Sequence, residues 1–338
     1  MKNGVTIGGN IFVDYLKQID LYPGEGMLMP IQSEARALGG CVSNTGISLK
    51  RLGPSLAVKV SGCIGNDEAG KFILDTFKFN KLDTSRIVKI DSLPTGYTDV
   101  FATKKGTRTF FVNQGTNAIY DLKYIDFDNI DTKMAHLGYI LLMNKMDSHD
   151  SEYGTVMARA LFELQKRGIK TSVDIVSEDS DRFQGIVSPA LKYTDYLIIN
   201  EIEAGRTVGI SPRNPDGTLI YESLPVICEK LLDLGVSCCV IIHCPETGIY
   251  MDKSKKWVGV RSLTLPEGYI KGSVGAGDAF CAGALLGLYN DMSPEELLRL
   301  GNSAAAGCLS SESGTDGVGT AEDMLKLHEQ YASDDEVW

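Results

Sequence analysis

Apolar residues gather along this chain in short unbroken runs. Runs rich in Val, Ile, Leu, Tyr and Cys occupy residues 5–8, 56–61, 138–143, 171–175, 196–199 and 238–242. Each has strand length, and a strand without polar alternation is one covered on both faces, as in a parallel sheet. Between the runs the period changes. Tyr153, Val156, Met157, Ala160, Leu161 and Leu164 follow the i, i+3, i+4, i+7 spacing of one helical face, and Leu224, Ile227, Cys228, Leu231 and Leu232 do the same. Strands alternating with helices predict βαβ units. The chain is therefore read as α/β, a doubly wound, mostly parallel sheet flanked by helices.

Two stretches break this rhythm. Residues 15–37 hold Pro23, Gly24 and Gly26 and then extended-looking sequence. Residues 96–113 alternate, with Tyr97, Asp99, Phe101 and Thr103 on one side and Thr98, Val100 and Ala102 on the other; Lys105-Gly106 then reads as a turn into residues 107–112. That is the pattern of a hairpin with one wet face. Both stretches fall between α/β elements and predict a small β-sheet made of two insertions within one domain spanning 1–338; separate surface hairpins are the alternative. The acidic tail, Ser333-Asp334-Asp335-Glu336, is predicted to fray.

Charge and composition narrow the functional classes. The 338 residues carry 33 basic and 44 acidic side chains, a formal charge of −11. Nucleic-acid binding needs a basic footprint that this balance does not supply. No apolar run approaches the ~18 residues of a membrane span. The opening residues, Met-Lys-Asn-Gly-Val-Thr-Ile-Gly-Gly, lack a signal-peptide core, so a cytoplasmic protein is expected. The eight cysteines (41, 63, 228, 238, 239, 244, 281 and 308) show no paired C-x-x-C spacing and are read as reduced core residues. The histidines His136, His149, His243 and His328 are scattered, so ligand supply argues against a zinc enzyme.

The strongest local signal is Gly272-Ser273-Val274-Gly275-Ala276-Gly277-Asp278, followed by a helix of small apolar residues. A glycine-rich turn opening a helix aims several N–H groups at one spot, where the helix dipole also favours negative charge. Asp278 falls in the first turn. Beside an anion hole it can serve as general base in phosphoryl transfer to a hydroxyl; an ordinary first-turn carboxylate is the alternative. Asn200 and Glu203 follow the strand at 196–199. An amide oxygen and a carboxylate suit hydrated magnesium, and the same pair also reads as a helix capping box. Gly39-Gly40 permits close approach of backbone to a ligand, Asn44 can hydrogen-bond hydroxyls, and Asp14, just past the first strand, can accept two hydrogen bonds from a vicinal diol, although a turn and a cap would use the same residues. Gly65-Asn66-Asp67-Glu68-Ala69-Gly70-Lys71-Phe72 is not a phosphate loop, because Phe72 cannot bind magnesium and two acids inside the loop would repel phosphates.

Taken together and in this order, these residues resemble the ribokinase-like carbohydrate kinase family, the phosphofructokinase B group. Gly39-Gly40, Asn44 and Leu52-Gly53 look like its N-terminal signature, Gly275-Ala276-Gly277-Asp278 like its C-terminal one, and Gly65-Asn66-Asp67-x-x-Gly70 like its G-x-D-x-x-G. The resemblance implies transfer of the γ-phosphoryl group of ATP to a sugar hydroxyl. It implies Asp278 as catalytic base, backbone at Gly275, Ala276 and Gly277 as anion hole, and Asn200 and Glu203 around Mg2+. Asn10, Asp14, Gly39, Gly40 and Asn44 become sugar contacts, with Arg108 reaching in from the hairpin, and Thr247, Gly248 and Asn302 line the ATP site. The insertions become a lid, often a homodimer interface. Two departures stand out. The family's acid three positions before the first glycine, which in several members helps hold a monovalent cation, is Gly272 here, leaving potassium activation open. The usual glycine three positions before Gly248 is Pro245. A nucleoside kinase of the same fold and a non-catalytic sugar or nucleotide sensor are the alternatives.

Overall fold

The computed structural model describes residues 2–104, 107–178, 180–333 and 335–338. In chain order the strands are β1 (Val5–Gly9), β2 (Phe12–Ile19), β3 (Ser33–Gly39), β4 (Val58–Gly65), β5 (Asp83–Ile90), β6 (Tyr97–Thr103), β7 (Arg108–Asn113), β8 (Met134–Ile140), β9 (His149–Asp150), β10 (Gly154–Thr155), β11 (Lys170–Ile175), β12 (Tyr196–Asn200), β13 (Cys239–His243), β14 (Thr247–Asp252) and β15 (Trp257–Arg261). The helices are α1 (Cys41–Leu52), α2 (Glu68–Phe79), α3 (Val156–Lys166), α4 (Phe183–Leu191), α5 (Glu201–Val208), α6 (Ser223–Asp233), α7 (Ala276–Tyr289), α8 (Pro294–Leu309) and α9 (Ala321–Tyr331).

The main sheet runs β15-β14-β13-β12-β11-β8-β1-β4-β5. Pairing is parallel from β13 to β5, and only β14 and β15 are added antiparallel. One apolar layer joins α1, α7 and α8 to the sheet; another joins α3, α4 and α6 to its opposite face. The continuous strands follow from that double cover: all five residues of β1 are buried. β1 lies between β4 and β8, where strand order changes direction. The carboxyl ends of β1, β8, β11 and β12 therefore border the crevice in which open α/β sheets hold ligands.

The run read at 138–143 is displaced. β8 starts at Met134 and ends at Ile140, and Leu141 turns the chain at φ 78°. The rejected phosphate loop is a helix cap: Asp67 accepts from Gly70 N at 2.8 Å and from Thr95 N and Oγ1 at 2.8 and 2.6 Å.

A second sheet, ordered β3-β2-β6-β7, joins the two irregular stretches, slightly wider than read, since β2 begins at Phe12 and β3 ends at Gly39. β2 and β6 are parallel neighbours, and each carries an antiparallel partner. Leu16, Met27, Leu28, Ile31, Phe110, Phe111 and Val112 are exposed on this sheet and its loop. The turn expected at Lys105-Gly106 lies outside the described residues, as does Asp334 of the tail.

The described part of the tail is docked, contrary to expectation. Trp338 exchanges backbone hydrogen bonds with Gly259 at 3.0 Å each way, and Arg261 N donates to Glu336 O at 2.7 Å. The tail thus continues the sheet beyond β15. The Trp338 indole donates to Thr247 Oγ1 at 2.9 Å and packs against Tyr221 and Trp257, while Glu336 pairs with Arg299 and His328, each at 2.6 Å. An aromatic end group and one paired carboxylate outweigh the tail's net charge.

Candidate active site

Two glycines bring β2 and β3 onto the start of α1. A Cβ at Gly39 would lie 2.4 Å from Asp14 Oδ2, so the carboxylate occupies the space a side chain would need. Gly40 has φ 85°, and a Cβ there would meet Asn10 O at 2.5 Å. Burial raises the Asp14 carboxyl to about 6, against a lowering hydrogen bond from Thr98. Asn10 donates its amide to Leu142 O at 3.3 Å, leaving its buried Oδ1 without a partner. Asn44 donates to Asp278 Oδ2 at 3.1 Å, and its Oδ1 is likewise buried and unpartnered. Both acceptors have the capacity to take a hydrogen bond from an outside donor.

Gly275 opens α7 at φ 79°, and a Cβ there would sit 2.4 Å from Gly314 O. Ala276 N makes only a long 3.5 Å approach to Ser273 O. Among the described residues no acceptor takes the N–H of Gly275, Gly277 or Asp278. The helix mouth therefore offers free donors and the positive end of the dipole to an anion. Gly277 abuts the ring of His243, which packs on Phe280 at 4.8 Å and is held neutral by burial, down to about 4.

Asp278 is 7% exposed. Tyr139 OH lies 2.8 and 2.9 Å from its two oxygens, Thr45 Oγ1 donates to Oδ1 at 3.1 Å and Asn44 to Oδ2. Burial pushes its carboxyl above the usual range, and hydrogen bonds from Tyr139, then Asn44 and Thr45, pull it down.

Two more buried acids stand nearby, one at a strand end and one in the first turn of α5. Asp174, at the end of β11, accepts from Ile175 N at 2.7 Å; burial, then the charges of Glu203 and Asp278, hold its carboxyl well above the usual range. Glu203 is raised to about 7, chiefly by burial. Asn200 and Glu203 form a complete capping box on α5: Glu203 N donates to Asn200 Oδ1 at 2.9 Å and Asn200 N to Glu203 Oε2 at 3.0 Å. Ser177 Oγ donates to Glu203 Oε1 at 2.8 Å. The structure thus realises the capping box, and the Asn200 and Glu203 oxygens engaged in it keep further lone pairs.

The residues expected to line the ATP site lie in the wall behind the helix mouth. Thr247 is fully buried and gives its hydroxyl to Val260 O at 2.9 Å, and Asn302 donates to the Val260 and Arg261 carbonyls at 3.0 and 3.1 Å. Gly248 faces the Phe280 ring. Arg108 is exposed at the start of β7; its register partner Ala102 faces Gln18, four positions along β2 from Asp14 and thus about 13 Å away along the strand.

Three residues escaped the sequence reading: Tyr139, Thr45 and Asp174. The only available signal was Asp174 itself, a lone carboxylate inside the apolar run at 171–175.

A family profile described as pfkB family carbohydrate kinase matches residues 9–321. An uncharacterized sugar kinase of Archaeoglobus fulgidus is 26% identical over 275 residues, 80% of this chain and 98% of that protein. Among solved structures, Arabidopsis thaliana ribokinase complexed with ribose and ATP superposes with a TM-score of 0.78 at 19% identity, covering 97% of this chain and 99% of that one. Methanocaldococcus jannaschii nucleoside kinase, an archaeal member of the ribokinase family, gives 0.76 at 18% identity, covering 98% and 99%.

Proposed function

The chain belongs to the pfkB family of carbohydrate kinases and is a phosphotransferase with an alcohol acceptor; on that premise we propose that it transfers the γ-phosphoryl group of ATP to a sugar hydroxyl, with Asp278 as the general base. One observation carries this reading: a buried carboxylate held by hydroxyl and amide donors, at a helix mouth where no acceptor among the described residues takes the N–H of Gly275, Gly277 or Asp278. The acceptor hydroxyl takes the place of a donor on Asp278 and gives up its proton there. The amides of Gly275, Gly277 and Asp278 receive the charge that develops on the transferring phosphate. Asn10 Oδ1 and Asp14 fix the acceptor by its other hydroxyls, Asn44 Oδ1 adds an acceptor next to the base, and Gly39 and Gly40 keep the approach open.

Magnesium suits the donor set here, since buried carboxylates that repel one another are relieved by a hard cation with oxygen ligands. Asn200, Glu203 and Asp174 would hold its water shell. When bound it neutralises phosphate charge. The nucleotide is accommodated in front of the wall built by Thr247, Gly248 and Asn302, next to the 243–246 turn. The small sheet acts as a lid that excludes water from the acceptor. Its exposed apolar face suits a second copy of the chain, and sedimentation of Phe110→Asp against the parent tests that dimer. A Cβ at Gly272 would lie 2.9 Å from Ser311 O, so no acid can be restored there without rearrangement. Turnover is therefore expected to be unchanged when potassium is replaced by tetramethylammonium.

The test is Asp278→Asn in a coupled assay of ADP release. Loss of roughly 10²–10⁴-fold in turnover with an unchanged circular dichroism spectrum supports the base role, and near-normal turnover removes it. The likeness to a nucleoside kinase keeps nucleoside acceptors as a second reading. One panel of free sugars and nucleosides separates the two. Retention of Asp278 with its open amides gives a non-catalytic sensor no support.

A further inference from the structure

The His243 imidazole stands at the phosphate end of the site and has no task in the catalytic reading. It ends β13, half-buried, with Asn200 of β12 and Gly248 of β14 as its register partners. Phe280 packs on the ring, 4.8 Å between centroids and 31° between planes, and fixes its orientation. The ring turns an edge to α7. A Cβ at Gly277 would lie 3.1 Å from Cε1 and 3.7 Å from Nε2, with no other ring atom within 4 Å. Cα–Cβ bonds in a helix tilt toward its N-terminus, so this edge lies toward the α7 mouth and its open amides. Neither ring nitrogen has a hydrogen-bond partner among the described residues. Packing against Phe280 does not need those nitrogens, since a phenyl ring would fill the same space. An unpaired imidazole beside an anion hole does gain from a hydrogen bond to the anion.

We propose, resting on the kinase reading above, that His243 is a phosphate-binding residue: its Nε2–H donates to an oxygen of the nucleotide's phosphate chain beside the α7 amides. The residue then sets affinity for the phosphates and not for the nucleoside. Burial keeps the ring neutral down to about 4, so it carries a single N–H, and the Nε2 tautomer leaves Nδ1 as an acceptor. No covalent bond changes and the proton stays on the ring. Phe280 holds the donor in place before the nucleotide arrives, so little rotamer freedom is lost on binding. Sequence spacing could not reveal this role, because His243 meets Gly277 only where the end of β13 abuts the start of α7.

The experiment measures binding of ATP, tripolyphosphate and adenosine to the full-length protein by calorimetry with magnesium present, in wild type, His243→Phe and His243→Gln. Phenylalanine keeps the stack on Phe280 and removes the donor; glutamine returns an N–H at the reach of Nε2. His243→Phe should bind ATP and tripolyphosphate at least about tenfold more weakly, with adenosine changed less than about twofold, and His243→Gln should recover most of the loss. Equal ATP affinity of wild type and His243→Phe overturns the proposal. So does an equal loss for adenosine, the mark of a ring that only packs. If the variants fail to fold, the wild type decides. Acylation of His243 by diethyl pyrocarbonate, read by peptide mass, should be slowed by tripolyphosphate and not by adenosine; an unreactive His243 in the free protein, or no protection, overturns the proposal. These readouts need no turnover. The kinase reading fails separately, if wild type releases no ADP with any acceptor in the panel.

Discussion

Replacing Tyr139 by Phe isolates the hydrogen bonding that holds Asp278. The phenol reaches both carboxylate oxygens, at 2.8 and 2.9 Å, and is the largest of the influences that lower the Asp278 carboxyl against burial. A hydrogen bond to a charged group contributes about 1.5–3 kcal/mol, and about 1.4 kcal/mol corresponds to one pH unit. Removing the phenol therefore favours the protonated acid, and the acid limb of kcat/KM moves to higher pH by about one unit or more. The sign follows from the base having to be ionised in the free enzyme. Below the limb the variant loses about tenfold activity per unit displaced. Above it the base is intrinsically stronger and one competitor for the acceptor position is gone, so KM falls or holds. Thr45→Val removes a single 3.1 Å bond and should shift the limb in the same direction by less. The assay is the pH profile of kcat/KM by coupled ADP release, with folding checked by circular dichroism. An acid limb that coincides with wild type in Tyr139→Phe refutes the assignment of Asp278 as the titrating base.

Gly39→Ala forces a methyl group to within 2.4 Å of Asp14 Oδ2, so KM for the acceptor should rise at least tenfold with kcat much less changed; an unchanged KM removes Asp14 from the acceptor site. Trp338→Ala empties the space beside Gly259 and removes the indole donor to Thr247 Oγ1, and should cost about 2–3 kcal/mol by urea unfolding, whereas a loss below about 0.5 kcal/mol would show the tail to be unimportant. Glu203, raised to about 7, and Asp174, held well above the usual carboxylate range by burial, keep protons in the folded state that the unfolded chain has lost. Their contribution is complete below the ordinary carboxylate range and disappears as pH rises through the folded values. His136 and His243, kept neutral down to about 3 and 4, act in the opposite sense only below about 6.5. Thermal stability should therefore fall from pH 6.5 to 8 and fall less with magnesium present; a flat profile without magnesium contradicts the buried-acid arrangement.

Legibility followed sequence distance. The parallel strands were readable because burial on both faces leaves unbroken apolar runs, and the helix mouth at Gly275 because its glycines are adjacent. β5 escaped because it is an edge strand whose Ser85, Arg86 and Lys89 dilute the pattern. β14 and β15 escaped because an antiparallel meander has no crossover helix to announce it. Asp278 was visible beside its glycines, but Tyr139 is 139 positions away in sequence and reaches it only through the β8–α7 packing. The capping box at Asn200 and Glu203 was open to two readings from sequence, and the structure realises the cap while leaving lone pairs that a hydrated cation can still use. The tail misled because charge was weighed and Trp338 was not.

The two halves of the site differ in what they hold before substrate arrives. On the α7 side the N–H groups of Gly275, Gly277 and Asp278 have no acceptor among the described residues, so on the proposed reading a phosphate meets them without breaking a protein hydrogen bond there. On the α1 side the proposed base, Asp278, already accepts from Tyr139, Thr45 and Asn44, so on that reading an acceptor hydroxyl takes the place of one of them. Tyr139 is the natural group to yield, since its hydroxyl spans both oxygens and is chemically equivalent to the incoming alcohol. The unliganded chain thus keeps its buried carboxylate hydrogen-bonded at no cost to the phosphate pocket, and the exchange of one hydroxyl for another makes entry of the acceptor nearly balanced in hydrogen bonds. Discrimination among acceptors is then left to the groups with free capacity, Asn10 Oδ1, Asn44 Oδ1 and Asp14, because a hydroxyl that fails to meet a buried, unpartnered acceptor leaves its desolvation uncompensated.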